Sequence, residues 1–312
     1  MSATVRQLTI SDYDAAEQII KTSFSDKLGI PDPDLFFAGG SLKGRLQMDP
    51  DGAFGAEEDG QLVGVNISTT WGTCGYFGPL AVTPSHQGQG VAQQLLMPVM
   101  SFFRKRNVTH AGLFTFPESA QHIHLYRKFG FMPRFLTAIM SKPLEAAPSK
   151  EVRAWRYSGF QDAEQADFRD SARELTNQIY PGLDLQKEIC AVHELGMGDT
   201  VFIGSDALDG FAICHYGEGS EAKRGSMYIK FAAARMCANS MVLFNSLLMA
   251  CESIAREAGV SKIAAGVSTA RDAAFECMLT AGFKTDYLGV YMHKPNEPGY
   301  CRPDVFAIDD WR

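Results

Sequence analysis

Leu80-Ala81-Val82-Thr83-Pro84-Ser85-His86-Gln87-Gly88-Gln89-Gly90-Val91-Ala92-Gln93-Gln94-Leu95-Leu96 joins an apolar strand to a helix through a loop with little side-chain bulk. Glycines at 88 and 90 lack the Cβ that would block close approach and tolerate positive φ, so successive backbone N–H groups can converge on one point. The helix that follows leaves its first N–H groups unpaired and carries about half a positive charge at that end, which suits a phosphate or pyrophosphate. Gln87 and Gln89 offer neutral amide donors. No Lys-Ser/Thr follows the second glycine, which disfavours a nucleoside-triphosphate P-loop, and the third glycine of a dinucleotide fingerprint is missing. By itself such a loop is equally well read as a plain tight connection.

A second motif changes that balance. Downstream of the apolar run Ala111-Gly112-Leu113-Phe114-Thr115-Phe116 stands Leu125-Tyr126-Arg127-Lys128-Phe129-Gly130-Phe131. Together the two motifs resemble the GNAT N-acetyltransferase superfamily, whose acetyl-CoA loop reads Gln/Arg-x-x-Gly-x-Gly/Ala and whose later helix ends in Leu-Tyr-x-x-x-Gly-Phe. The first is met here by Gln87, Gly90 and the small Ala92, or in a second register by Gln87-Gly88-Gln89-Gly90.

The resemblance implies a mixed-sheet α/β fold and direct transfer of acetyl from acetyl-CoA to a primary amine in a ternary complex, with no metal. It places the pantetheine arm against the backbone of Leu80, Ala81 and Val82 and the pyrophosphate on Gln87, Gly88, Gln89, Gly90, Val91 and Ala92. A β-bulge is expected to splay the strand near Gly78-Pro79. Tyr126 takes the place of the family's general acid, a phenol that returns a proton to the departing thiolate; the plainer alternative is a packing aromatic. Ser119 stands where many members have an asparagine assisting the cofactor. The family's strand glutamate is missing from Gly72-Thr73-Cys74-Gly75-Tyr76-Phe77-Gly78-Pro79, so Glu118 and Glu57 or Glu58 are candidate bases, though such a residue is more often a solvated surface charge. The substituted asparagine and missing base also motivate a different reading, a non-catalytic acyl-CoA sensor or interaction module.

Composition sets outer limits. The 312 residues suggest two domains of about 150 residues each. Hydrophobic content of 46% and charged content of 21% describe a globular chain. Neither a membrane-length apolar run nor a signal-peptide pattern at Met1–Ile10 is seen, so a cytoplasmic protein without a membrane partner is expected. Seven cysteines without a Cys-x-x-Cys pair argue against a disulfide framework. A net charge of −7 disfavours nucleic acid and is compatible with a cationic small-molecule or peptide amine.

The chain also repeats itself. Val5-Arg6-Gln7-Leu8 as strand, Ser11 as helix cap and Ala16-Glu17-Gln18 recur as Val152 to Tyr157, Ser158 and Ala163-Glu164-Gln165. Phe129-Gly130-Phe131 recurs as Ala281-Gly282-Phe283, Leu95-Leu96 as Leu247-Leu248, and Gly64 as Gly210. Two GNAT-like units in tandem follow, 1–145 catalytic and 151–312 degenerate, divided in the Pro-containing stretch Glu145–Lys150. The second unit carries Asn239-Ser240-Met241-Val242 in place of Gln87–Gly90, and Met278 in place of Tyr126, so one cofactor site per chain is expected, with the second unit shaping the acceptor pocket or a homodimer.

Smaller features complete the reading. His86 beside the loop could touch phosphate or ribose, though an exposed loop histidine is the simpler reading. His122 and His124 would point about 200° apart on a helix, which is poor for a shared metal. Pro98 should kink its helix. The tail Pro303 to Arg312 alternates apolar residues and is expected to dock as a strand or to bring Asp309 or Asp310 near the substrate.

Overall fold

Apolar strands and amphipathic helices alternate in the same order twice. The computed structural model describes residues 3–28, 41–145, 152–204 and 207–311. The first half runs β1 (Thr4–Gln7), α1 (Tyr13–Leu28), α2 (Ser41–Met48), β2 (Ala53–Glu58), β3 (Gln61–Trp71), β4 (Cys74–Val82), α3 (Val91–Lys105), β5 (His110–Thr115), α4 (Ala120–Lys128) and β6 (Met132–Pro143). The second repeats it as β7 (Trp155–Arg156), α5 (Asp162–Ile179), α6 (Gln186–Glu194), β8 (Gly198–Gly204), β9 (Leu208–His215), β10 (Ser226–Ala234), α7 (Ser240–Glu257), β11 (Lys262–Ser268), α8 (Asp272–Thr280) and β12 (Lys284–Lys294), and then adds β13 (Ala307–Ile308).

All strands belong to one mixed sheet in the order β1-β2-β3-β4-β5-β12-β6-β11-β10-β9-β8-β7, with β13 on the free edge of β10. The order is a palindrome with one exchange at its centre. β12 of the second half pairs with β5 of the first, and β6 of the first pairs with β11 of the second. Each half therefore ends in a strand that completes its neighbour's ladder, and the two central strands pair with each other from Lys284↔Ser141 to His293↔Met132. Separating the halves would break backbone hydrogen bonds along both exchanged strands. The stretches on either side of the expected boundary thus share one sheet; most of the boundary itself, 146–151, lies outside the described residues.

Local sequence explains the pieces. In α3, Val91, Leu95, Leu96, Val99, Phe102 and Phe103 recur at helical spacing and form its buried face, while Arg104 and Lys105 meet the negative pole of the helix. The helix runs on across Pro98 to Lys105. All nine residues of β10 are buried, as expected for a strand flanked on both sides and covered on both faces. Two readings of the sequence are corrected. A turn at Ile10–Asp12 precedes α1 with Thr9, not Ser11, at its N-cap, and the Thr9 N–H donates to Asp12 Oδ2 at 2.8 Å. The strand anticipated over Val152–Tyr157 is only Trp155–Arg156, because Tyr157–Gly159 turns toward α5.

The halves meet through a shared core in which Trp71, Cys74 and Tyr76 pack with Leu183, Leu185, Ile189, Phe211 and Phe231. The β3–β4 turn docks on the α5–α6 connection, where the Thr73 N–H donates to the Gly182 carbonyl at 2.9 Å and the Asp184 N–H to the Trp71 carbonyl at 3.3 Å.

Candidate active site

The glycine loop occupies the corner between β4 and α3. Gly88 and Gly90 have φ of 76° and 84°, left-handed values that disfavour other residues. A Cβ at either would meet nothing within 4 Å among the described residues, so these residues leave the space above the loop open to a ligand. The first helical bond runs from the Gln94 N–H to the Gly90 carbonyl at 3.1 Å. The N–H groups of Val91, Ala92 and Gln93 therefore precede the ladder at the positive end of α3. Gln87 and Gln89 act differently from the sequence reading. Their Nε2 atoms donate to the carbonyls of Val82 and Ser85, at 3.1 and 2.8 Å, and so brace the loop. His86 braces it too, with Nδ1 at 2.8 Å from Thr83 Oγ1 and Nε2 at 2.9 Å from Glu58 Oε2.

Upstream, β4 parts from β5. The two strands pair in parallel only from Cys74↔His110 to Tyr76↔Gly112. The β3–β4 register shifts between Asn66 and Ser68, opposite Gly78-Pro79, where the sequence suggested a bulge. Beyond it the Thr83 N–H donates to the Val63 carbonyl. Antiparallel alternation then turns the Ala81 backbone toward β3 and those of Leu80 and Val82 toward the gap that β5 has left. Side chains satisfy part of this edge. Gly78 O accepts from Arg45 Nη1 at 2.8 Å, and Val82 O from Ser23 Oγ at 2.9 Å.

Tyr126 lies on α4 with 6% of its surface exposed, its ring edge-on to Phe77 at 5.6 Å. Its hydroxyl has no hydrogen-bond partner among the described residues. Burial pushes the phenol above its ordinary pKa, so it stays protonated at neutral pH with its proton available to donate. Ser119 caps α4, its carbonyl accepting from the Ile123 N–H at 3.1 Å.

The carboxylates singled out from sequence are committed elsewhere. Glu57 pairs with Arg6 at 2.7 Å, Glu58 with His86, and Glu118 is exposed. Asp309 is fully buried against Arg271 at 3.1 Å, and Asp310 accepts from Tyr228 Oη at 2.7 Å, so neither tail aspartate reaches solvent. His122 and His124 form no metal-ligand group, nor do any other residues among those described.

Sequence reasoning missed a buried polar cluster on the opposite face of β4 from Tyr126. Arg45 grips Glu221 with Nε at 3.0 Å and Nη2 at 2.5 Å, and Lys230 Nζ reaches the same carboxylate at 2.9 Å. Burial opposes ionisation of Glu221, but Arg45 and then Lys230 hold it well below the usual carboxylate range. Beside them Trp71 Nε1 donates to Glu188 Oε2 at 2.9 Å, and His215 Nε2 stands 3.8 Å from Glu188 Oε1. The signal available was Lys230 inside the otherwise apolar run Ile229 to Ala234. The rest of the cluster lies on other segments, from Arg45 on α2 to Glu221 between β9 and β10.

The second half closes the corresponding corner. Its turn is Arg235–Asn239, held by Ser240, whose Oγ accepts from the Cys237 N–H at 2.8 Å. Met241 and Val242, expected in the loop, already belong to α7 and are exposed. β10 and β11 part after Ile229↔Ala265, and β13 enters that gap, pairing Ala232↔Ile308 and Ala233↔Ala307. The tail thus docks as a strand. Met278 is fully buried in the apolar core.

A parallel strand pair that parts beside a glycine-rich helix N-terminus is thus the local architecture of this mixed-sheet fold. Residues 13–131 match the acetyltransferase (GNAT) family. A mycothiol acetyltransferase of Acidothermus cellulolyticus is 31% identical over 99 residues, 27% of this chain and 30% of that protein. The match thus spans under a third of that relative's length. A Pyrococcus horikoshii protein provisionally assigned as an acetyltransferase covers 100% of the chain and 95% of its own with a TM-score of 0.72 at 17% identity. A GCN5-related N-acetyltransferase of Sphaerobacter thermophilus reaches 0.62 at 14% identity over 94% of this chain and 95% of that one. A tandem GNAT protein of the clavulanic acid pathway reaches 0.57 at 12% identity over 93% and 98%. These likenesses are of fold.

Proposed function

We propose that the protein is an acetyl-CoA-dependent N-acetyltransferase acting in the cytoplasm on a primary amine, with one cofactor site per chain, in the first half. The observation that carries this reading is the parting of β4 from β5 after Tyr76, directly upstream of a loop whose glycines face open space. In it the backbones of Leu80 and Val82 meet the pantetheine amides, Ala81 supports them from the β3 side, and the N–H groups from Gly88 to Ala92 meet the pyrophosphate. Gln87 and Gln89 shape that loop, and Ser119 flanks the arm from the start of α4.

The amine nitrogen attacks the thioester carbonyl and releases one N–H proton to a base, the C–S bond breaks, and the thiolate takes the Tyr126 proton, which solvent then replaces. The second half is proposed as a scaffold that binds no nucleotide, since β13 covers the backbone equivalent to Leu80–Val82. Small-molecule and peptide amines both fit this chemistry; nucleic acid does not. Release of free CoA thiol across a panel of primary amines tests the proposal. Acetyl-CoA that binds in calorimetry, yet yields no thiol with any amine, would instead identify an acyl-CoA sensor.

A further inference from the structure

Tyr76 and Phe77 are neighbours on β4, so their side chains project to opposite faces of the sheet. Phe77 meets Tyr126 on one face; on the other, Tyr76 meets Trp71 with ring centroids 5.0 Å apart. The gap between β4 and β5 begins at Tyr76 and joins the two faces. A thioester lying in that gap has Tyr126 on one side and the buried polar cluster on the other.

Three atoms of that cluster are buried without a hydrogen-bond partner among the described residues: Tyr76 Oη, Glu188 Oε1 and His215 Nε2. Such atoms normally cost free energy, and three in one place call for an occupant. Their chemistry is complementary. The Glu221 N–H reaches His215 Nδ1 at 3.3 Å, and burial lowers the His215 pKa to about 4, so the ring is neutral with its proton on Nε2. Nε2 is thus a donor, Glu188 Oε1 an acceptor, and the Tyr76 phenol either. A primary amine, which both donates and accepts, fits this set.

The charged groups facing Glu188 are Arg45 on α2, Lys230 on β10 and Glu221 on the β9–β10 connection, with Trp71 of β3 bonded to it. Two cations and two carboxylates balance when Glu188 is ionised. Burial raises its pKa, which favours taking up a proton. Arg45 also ties the cluster to the bulge through the Gly78 carbonyl.

We propose that Glu188 and His215 of the second half, with Tyr76 of the first, form the acceptor-amine site, and that Glu188 is the base. This rests on the acetyltransferase reading above. As the nitrogen bonds to the thioester carbon, its N–H proton passes to Glu188 Oε1; the C–S electron pair leaves with sulfur, which takes the Tyr126 proton. Solvent removes the proton from Glu188 and restores the one on Tyr126.

Two variants test it, with thiol release from acetyl-CoA and the best amine of the panel as the assay. Glu188→Gln keeps an oxygen for Trp71 but cannot accept the proton. It should bind acetyl-CoA as the wild type does, lose about a hundredfold or more in kcat/KM, and lose the acidic limb of the pH–rate profile, with Glu188→Asp restoring part of both. Tyr76→Phe deletes a hydroxyl with no hydrogen-bond partner among the described residues. It should fold at least as stably while KM for the amine rises about three- to tenfold. A Glu188→Gln enzyme with wild-type rate and pH limb, or a Tyr76→Phe enzyme with unchanged KM, would leave the cluster holding internal water only and overturn the proposal with the transferase reading intact. A wild type that binds acetyl-CoA but releases no thiol defeats both readings together.

Discussion

In the first half β4 leaves β5 after Tyr76, and no strand among the described residues re-enters the gap. In the second half β10 leaves β11 after Ile229, and the chain's own β13 fills it. A strand edge left by such parting exposes donors and acceptors that need partners. Side chains of Arg45, Ser23 and Gln87 satisfy two carbonyls of the first edge and leave the Leu80 backbone facing the gap. The second edge is closed by two residues of β13 and by the Ala234 N–H, which donates to the Phe306 carbonyl at 3.0 Å. The turns follow the same division, one opened by positive-φ glycines and one closed on Ser240. Duplicate folds therefore diverge here through what fills the gap, not through the sheet itself.

The sharpest way to break this comparison is Gly90→Glu, which sets a carboxylate and a Cβ where phosphate is expected. Acetyl-CoA affinity should fall about a hundredfold or more, roughly 2.7 kcal/mol, in calorimetry, and binding stoichiometry should drop from one per chain to none. A remaining site of wild-type affinity would mean that the second half binds nucleotide after all. Next in size, Tyr126→Phe should lower kcat by about 10² to 10⁴ with acetyl-CoA affinity unchanged, whereas Met278→Leu in the equivalent position should leave turnover alone and cost under about 1.5 kcal/mol of stability. Equal kcat in Tyr126→Phe would return that residue to a packing role.

Ile308→Ala sharpens the other side. Trimming this fully buried tail residue should cost about 2 to 5 kcal/mol in denaturant melts without touching acetyl-CoA affinity, since the cavity opens only in the second half. A matching loss of affinity would show that the tail supports the first site.

A further expected effect is on pH. Burial lowers the pKa of His110 and His215 to about 4 and of His293 to about 3. Below the ordinary value near 6.5 the unfolded chain binds protons that the folded chain refuses, so stability falls as pH drops from about 6.5 toward 4, by ~1.4 kcal/mol per unit for each histidine. Melts at about pH 7 and pH 5 measure the slope; a flat profile would mean that these rings titrate in the folded chain as they do in the unfolded one.

The sequence by itself determined the local pieces: the glycine loop, the helix of Tyr126, the two-fold order of elements and the apolar faces that build the sheet. These rest on spacing within a few residues, where backbone geometry and periodicity act directly. It misread Gln87 and Gln89, because an amide next to a phosphate loop can as readily bond its own backbone. It assigned Glu57, Glu58, Asp309 and Asp310 roles near the substrate that ion pairs and burial have taken. The exchange of β6 and β12, the closure of the second gap by β13, and the meeting of Tyr76 with Glu188, His215, Glu221 and Lys230 were decided only by the tertiary structure. Each joins residues far apart in the chain, and what selects them is the need to pair every strand edge and every buried charge, a condition no stretch of sequence can satisfy alone.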